Sequence, residues 1–245
     1  MGLADSIYLF KVLLRYKGQR QRVWSLWGLY CELILSRLIP SFAQSKLRNV
    51  LGMKVEYTDR RALDGLIADI FIKRVYDIQL AAAKPFIVDC GSNIGLSILF
   101  FKQAYKTAEI IGFEPDRCTF EKLRANVSFN RLQNIRLYNA AVSDTDGRAI
   151  LYSDYNNRTA VGMSLTNRLE GKGLVPIGSE VESVALSRFV DRTVDLLKLD
   201  VEGVELKIIR ELHDRDKLKF IQNVVIEFHR DLNNNRTNLG RYWQY

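Results

Sequence analysis

The residues best suited to chemistry follow an apolar segment, where Phe86–Ser97 contains Asp89 and two glycines. The apolar run is typical of a buried strand, and the apolar residues after Gly95 begin a helical pattern. Gly91 and Gly95 permit a tight turn in which the backbone can approach a ligand. A strand, a glycine turn and a helix N-terminus together predict a nucleotide-type binding site.

The spacing of the glycines distinguishes two kinds of nucleotide site. A dinucleotide turn needs G-x-G-x-x-G, but from Gly91 the third position is Asn93 and the sixth is Leu96. The remaining pattern, D-x-G-x-x-x-G, resembles the first motif of class I S-adenosylmethionine-dependent methyltransferases. Such a site also needs an acidic residue that ends the next strand and accepts from both ribose hydroxyls. Glu114 lies there, 25 residues after Asp89. The alternative is a turn that only packs helix on strand.

A third strand is predicted from Ile135 to Val142, and the small residues at its end leave room for an aromatic base. Asp144 follows and could accept a hydrogen bond from the adenine amino group, although turn chemistry in residues 143–147 is an alternative. We therefore assign the cofactor site to one set of residues: Asp89, Gly91, Asn93, Gly95, Glu114 and Asp144.

A second group of charged residues follows two later apolar segments. Strand alternation places Lys198 and Asp200 on one face, and a buried ammonium needs a nearby carboxylate. The next apolar run ends with Glu227 and His229, again on one shared face. If these strands are neighbours, the four residues and Glu202 meet at the carboxyl ends of a parallel sheet, where such sheets bind ligands. The alternative for each residue alone is an ion pair or a helix cap.

Length and composition favour one large α/β domain with an appendage, since 47% of the 245 residues are hydrophobic. The net charge of +8 is concentrated in residues 1–60, which carry 10 Lys and Arg against 4 Asp and Glu. We predict a basic helical extension over residues 1–60 and a catalytic domain over residues 61–245. The three widely spaced cysteines indicate neither a disulfide framework nor a zinc site, which favours a cytoplasmic protein.

The N-terminal extension is predicted to be helical over Ile7–Tyr16, Val23–Ile39 and a short segment ending at Leu51. Glu32 and Arg37 interrupt the second helix before it reaches the length of a membrane span. Its tryptophans, with the basic residues before them, resemble an interfacial anchor, so residues 1–40 could contact the inner membrane face peripherally. We favour a helical cap packed on the catalytic domain.

Three further segments complete the prediction. A helix beginning at Leu63 leads into the cofactor strand and is expected to cover the edge of the cofactor site. A second helix is expected over Asp116–Asn130, with Asp116 in its first turn. Residues 154–180 are expected to form a long loop that binds the acceptor.

Four segments together resemble the FkbM family of methyltransferases: Phe86–Ser97, Phe113–Pro115, Asn139–Val142 and Leu197–Glu205. The resemblance covers roughly residues 63–229. It implies a Rossmann-like, three-layer α/β fold with a mostly parallel sheet, S-adenosylmethionine as cofactor, and methyl transfer to a hydroxyl. The acceptor would be a sugar, a polyketide or another small metabolite.

An acceptor hydroxyl of high pKa needs a base near the methyl group, and Asp200 or His229 could serve. Lys198, held by Glu227 or Asp200, and Glu227 itself complete the predicted catalytic set. Asp200, Glu202 and Glu227 could also supply oxygen ligands to a metal, but no spacing identifies one and we assign none.

Class I methyltransferases usually continue after the fifth strand with a helix and a two-stranded antiparallel hairpin. The residues after Phe228 leave room for the helix only, so we expect the hairpin to be lacking or the sequence to be shortened. A lacking hairpin would leave Asn223–Phe228 as an exposed edge. The competing functions are a catalytically silent, cofactor-binding or membrane-associated scaffold and a nucleic-acid methyltransferase. We expect no nucleic-acid partner, because no base-reading motif follows the fourth strand.

Overall fold

The central sheet has six strands: β3 (Phe86–Cys90), β4 (Glu109–Phe113), β5 (Ile135–Tyr138), β9 (Leu196–Leu199), β10 (Val224–Glu227) and β11 (Tyr242–Gln244). Their order in the sheet is β11-β10-β9-β3-β4-β5. All are parallel except β11, which pairs antiparallel with β10. The protein is known from a computed structural model that describes residues 20–38, 47–154, 164–165, 176–228 and 242–244.

Helices cover both faces of this sheet. They are α1 (Arg20–Leu38), α2 (Arg60–Ile67), α3 (Leu96–Ala104), α4 (Arg117–Phe129) and α5 (Glu205–Asp214), with 3-10 turns at Leu186–Phe189 and Leu218–Phe220. Helix α2 continues directly into a π-helical turn, Ala68–Ile72. In β3, Ile87 packs into one hydrophobic cluster, whereas Val88 and Cys90 pack into the other. Alternation along buried strands thus divides the core into two layers around the sheet, which confirms the three-layer α/β fold.

Two smaller sheets flank the central one. One is the hairpin of β1 (Leu47–Val50) and β2 (Met53–Glu56), and the other joins β6 (Ala141–Ser143), β7 (Gly147–Asp154) and β8 (Pro176–Ala185) in the order β6-β8-β7. Strand β6 pairs parallel with β8, and β7 pairs antiparallel with it. This second sheet follows the third strand of the central sheet in the chain.

The hairpin corrects the prediction of a helix ending at Leu51. Leu51 and Gly52 have φ angles of 50° and 86°, so both lie in the left-handed region that a tight hairpin turn requires. Helical spacing of apolar residues over so short a segment could not reveal this turn. The helix predicted over Asp116–Asn130 is confirmed as α4, and Asp116 caps it by accepting from the Thr119 N–H at 2.9 Å.

Two other predicted boundaries are wrong. The strand expected over Ile135–Val142 is divided, because β5 ends at Tyr138 and β6 joins a different sheet. The loop expected over residues 154–180 is shorter, since β8 begins at Pro176 and pairs with β7 along its length. Apart from Ser164 and Leu165, the residues between these two strands lie outside the described part of the chain.

The C-terminal edge of the sheet differs from the expectation. Tyr242–Gln244 pairs with Val225–Glu227, so the segment Asn223–Phe228 is not the exposed edge that was predicted. We predicted that the two-stranded antiparallel hairpin is lacking. The described residues contain one antiparallel strand, β11, at this edge of the sheet. Backbone pairing of β10 is therefore satisfied on both sides.

Helix α1 packs on the hydrophobic core beside the central sheet. Leu29 and Leu33 lie in the same hydrophobic cluster as Ile67 and Phe71, and α1 contacts the π-helical turn. The predicted cap is therefore confirmed for α1, whereas the helix predicted over Ile7–Tyr16 lies outside the described residues. The division of the chain at residue 60 stays a prediction. Among the helices that the structure describes, none has the length and apolarity needed to cross a bilayer.

Candidate active site

One cavity lies where the parallel strands end at their carboxyl termini. The ends of β3, β4, β9 and β10 meet there, which confirms that the predicted strands with Lys198 and Glu227 are neighbours. The lining residues used below are Asp69, Tyr76, Gly91, Asn93, Glu114, Leu165, Lys198, Asp200, Glu202 and Glu227. Residues of α2 and the π-helical turn form one wall, which confirms that this helix covers the edge of the site.

The turn after β3 passes very close to the end of β9. Gly91 has a φ of 83°, and a Cβ placed on it would lie 1.9 Å from the carbonyl oxygen of Asp200. The Asp200 N–H in turn donates to the carbonyl of Cys90 at 3.1 Å. Glycine is thus required at position 91 by contact between two strand ends as well as by its φ angle.

Replacing Gly91 by Ala is expected to lower the free energy of unfolding by about 1–3 kcal/mol more than replacing Gly52 does. Gly52 is a matched control, because its φ is 86° and nothing lies within 4 Å of a Cβ placed there. The two variants therefore share the backbone penalty, and only Gly91→Ala adds the collision. Urea unfolding measures the difference, and equal losses would show that the close contact with Asp200 is unimportant.

Glu114 follows the last residue of β4 and lines the cavity. One carboxylate oxygen accepts from the Asn93 N–H at 3.0 Å, and the other accepts from the Asp116 N–H at 2.9 Å. Asn93 itself has a φ of 50°, a conformation that asparagine tolerates better than most residues. Burial raises the pKa of Glu114 to about 8, although the two backbone donors oppose the shift. Each oxygen keeps a further lone pair for a hydroxyl donor.

Lys198 forms a buried ion pair beneath the cavity. Its Nζ lies 3.0 Å from Asp89 Oδ1 and 3.6 Å from Asp200 Oδ2, and it donates to the Gly91 carbonyl at 2.7 Å. Burial alone would lower the pKa of Lys198, but the Asp89 and Asp200 carboxylates together raise it above its ordinary value. The partner predicted for Lys198 was Asp200 or Glu227, whereas the shorter contact is with Asp89 on the neighbouring strand.

Asp200 lies on the cavity side of this ion pair. Its side chain is 23% exposed, whereas the Asp89 side chain is 0% exposed, so only Asp200 is available to a ligand. The Tyr76 hydroxyl donates to Asp200 Oδ2 at 3.5 Å, and Lys198 Nζ lies 5.3 Å from the centroid of the Tyr76 ring. One cation and one phenol thus fix the orientation of a carboxylate that faces the cavity.

Glu202 has a left-handed backbone conformation, with a φ of 59°. Its carbonyl accepts a hydrogen bond from the hydroxyl of Ser164. The backbone of Ser164 in turn pairs with the backbone of Tyr152 in β7. Residues with a Cβ hold this conformation only where the surrounding structure imposes it, and such residues are concentrated at functional sites. Ser164 therefore connects the sheet of β6, β7 and β8 to the segment that follows β9.

Three of the predicted site residues that the structure describes do not line the cavity. Asp89 is fully buried and accepts a hydrogen bond from the Ser97 hydroxyl at 2.6 Å. It therefore stabilises the glycine turn between β3 and α3. A Cβ at Gly95 would lie 2.7 Å from Leu123 Cδ1, which shows that this glycine serves the packing of α4 on α3. Asp144 accepts from the Ser143 hydroxyl in the turn after β6. His229 lies outside the described residues.

Asp69, Tyr76 and Leu165 line the cavity but were not among the individual site residues predicted from the sequence. Asp69 is in the π-helical turn, and π-helical turns often occur at functional sites. The segment was predicted to cover the site, but a helical pattern could not place a π turn or the irregular chain that brings in Tyr76. Within the described residues, no group of three or more His, Cys, Asp or Glu side chains is arranged to hold a metal ion.

Sequence comparison assigns this arrangement to a family. The methyltransferase FkbM domain matches residues 89–245. This range includes the glycine turn after β3, Glu114 and the charged residues at the ends of β9 and β10. The chain belongs to the FkbM family of methyltransferases. This assignment confirms the resemblance carried by the glycine turn, Glu114 and the segment Leu197–Glu205.

Relatives of this FkbM family member are also methyltransferases. Methyltransferase 1 of Beauveria bassiana (strain ARSEF 2860) is 30% identical over 176 residues, covering 65% of this chain and 70% of that protein. The 31-O-demethyl-FK506 methyltransferase FkbM of Streptomyces tacrolimicus is 28% identical over 212 residues, covering 75% and 81%. The structure of methyltransferase FkbM from Methylobacillus flagellatus KT matches 72% of this chain and 47% of its own, at 15% identity and a TM-score of 0.38. The chain therefore spans less than half of that structure.

Proposed function

We propose that this FkbM family methyltransferase transfers a methyl group from S-adenosylmethionine to a hydroxyl of a sugar, glycan or other small metabolite. The observation that carries the proposal is the presence of Glu114 and Asp200 in one cavity, at the ends of different strands. Glu114 suits the ribose of a nucleoside, and Asp200 suits the proton of an acceptor. A relative named as an O-demethyl-FK506 methyltransferase supports a hydroxyl acceptor.

The described residues fit an adenosyl cofactor. Glu114 offers one acceptor oxygen to each of two ribose hydroxyls, and both oxygens are already oriented by backbone N–H groups. Ala140, Ala141 and Val142 line the same cavity and leave space for a flat base. When bound, S-adenosylmethionine supplies an electrophilic methyl group on a sulfonium.

Asp200 is assigned the removal of the acceptor proton. A neutral hydroxyl is a weak nucleophile, so a carboxylate that accepts its hydrogen bond would increase the negative charge on its oxygen. That oxygen would take the methyl group as the methyl–sulfur bond of the bound cofactor breaks, which leaves S-adenosylhomocysteine. The proton passes to Asp200, and Lys198 and Tyr76 hold that carboxylate in place. Glu202 and Glu227, at the ends of β9 and β10, are positioned to bind further hydroxyls of the acceptor.

Cofactor affinity is expected to increase as the pH rises through about 8, because burial raises the pKa of Glu114 to that value. Ribose hydroxyls donate hydrogen bonds and therefore bind the ionised carboxylate better than the protonated form. Below this pKa, the dissociation constant should increase by up to about tenfold per pH unit. Calorimetry with S-adenosylhomocysteine at pH values on both sides of the pKa measures this effect.

The control for this prediction is Glu114→Gln, which cannot ionise. That variant should bind the cofactor about tenfold to a hundredfold more weakly at high pH, because an amide offers only one acceptor oxygen. It should also lose the pH dependence. Equal affinities of wild type and Glu114→Gln at high pH would remove Glu114 from the cofactor site.

The transfer itself is tested by incubating the protein with S-adenosylmethionine and a panel of hydroxylated glycans and small metabolites. Formation of S-adenosylhomocysteine that depends on one class of acceptor supports the proposal. Cofactor binding without transfer to any hydroxyl acceptor would favour a silent cofactor-binding protein instead.

A further inference from the structure

Helix α1 has two apolar faces, and only one of them packs on the part of the chain that the structure describes. Leu29 and Leu33 are 5% and 1% exposed and belong to the hydrophobic core. Trp24, Trp27 and Ile34 are 70%, 45% and 38% exposed. These three residues, with residue 31 between them, recur every three or four positions and so form one stripe along the helix. We call this stripe the outer face of α1.

The sequence that leads into the outer face carries charge of one sign over a long segment. Residues 6–31 contain five cations and no Asp or Glu, and the first acidic side chain after them is Glu32. Two of the cations, Arg20 and Arg22, lie in the first turn of α1 itself. Exposed tryptophans beside a cluster of Lys and Arg are the combination that anionic membrane surfaces bind.

We propose that the outer face of α1 docks on an anionic lipid surface, with Trp24 and Trp27 at the level of the headgroups. The tryptophan rings supply apolar area, and the cations are attracted to the negative surface potential. A second copy of the chain is a poorer partner, because residues 1–60 of each copy carry an excess of six positive charges. The lipid surface offers the opposite charge over its whole area.

Docking at this face would place the membrane beside the wall of the active site. Helix α1 contacts the π-helical turn, and Asp69 and Ile70 of that turn line the cavity. Helix α1 and the π-helical turn therefore lie between the outer face and the cavity. The proposal concerns lipid binding alone and is independent of which acceptor the enzyme methylates.

The test compares the full-length protein with Trp24→Ser/Trp27→Ser in flotation with phosphatidylglycerol-containing and pure phosphatidylcholine vesicles. We expect the wild type to float with the anionic vesicles, to bind them less as salt increases, and to show a blue shift of tryptophan emission. The double variant should bind the anionic vesicles at least about tenfold more weakly than the wild type. Its melting temperature should match that of wild type, because both side chains are solvent-exposed.

Phe129→Ser is the matched control, since Phe129 is an aromatic residue with 44% exposure on α4. This control should bind vesicles like the wild type. Equal binding by the double variant and the control, or no binding by the wild type, would overturn the proposal. A wild-type dimer in light scattering that becomes monomeric in the double variant would also overturn it, because the outer face would then join two copies.

Discussion

Asp200→Asn is expected to lower kcat by about two to four orders of magnitude while leaving cofactor affinity unchanged. The substitution keeps the size of the side chain and its hydrogen bond with Tyr76, but it removes the negative charge that accepts the acceptor proton. Asp200 lies on the cavity side of the ion pair, so the loss should appear in turnover. Cofactor affinity is assigned to Glu114, on a different strand, and should be preserved.

Asp144→Asn is the matched control for this experiment, because Asp144 is a carboxylate that does not line the cavity. Initial rates and calorimetry on both variants separate the two roles. Wild-type kcat in Asp200→Asn would exclude Asp200 as the base and would direct attention to His229. A fall in kcat for both variants would point to a general effect of charge.

Lys198→Met is expected to lower the free energy of unfolding by about 3–5 kcal/mol. Asp89 is fully buried, and removal of the ammonium at 3.0 Å would leave its carboxylate without a cation. Methionine fills a similar volume, so the loss comes from electrostatics and not from a cavity. Urea unfolding at neutral pH measures this loss directly.

Two further variants test the explanation. In Asp89→Asn/Lys198→Met no charge is left unpaired between these positions, so the double variant should be more stable than Lys198→Met alone. Lys102→Met is a matched control, because Lys102 is also buried but, among the described residues, its ammonium donates to the carbonyls of Lys106 and Ala108 and not to a carboxylate. Its expected loss is about 1–3 kcal/mol. Equal losses for the two lysines would contradict a special cost of the unpaired Asp89.

The strand elements of the site could be predicted because their side-chain directions are fixed by alternation. Lys198 and Asp200 share a face whatever the surrounding fold, and the burial of Lys198 required a carboxylate. The identity of that carboxylate could not be predicted, because it depends on register. The structure pairs Asp89 directly with Lys198 across β3 and β9, and a single sequence does not determine which residues of two strands stand opposite each other.

The glycines show a similar limit. A positive φ could be expected at Gly91 and Gly95 from the turn, but the atoms that exclude a Cβ belong to distant segments, Asp200 and Leu123. Tyr76 and Leu165 reach the cavity from irregular chain, where neither the helical nor the strand period applies. Short-range patterns thus predicted the base of the cavity and the wall formed by the helix that begins near Leu63, but not the positions of Tyr76 and Leu165.

The central claim is that this cavity transfers a methyl group to a hydroxyl, and isotope labelling tests it most directly. The protein is incubated with S-adenosylmethionine that carries a deuterated methyl group and with the panel of hydroxylated acceptors. Mass spectrometry should find the label on an acceptor oxygen with the wild type, and about a hundredfold less with Asp200→Asn. Label on nitrogen or carbon, or equal labelling by Asp200→Asn, would contradict the proposed reaction.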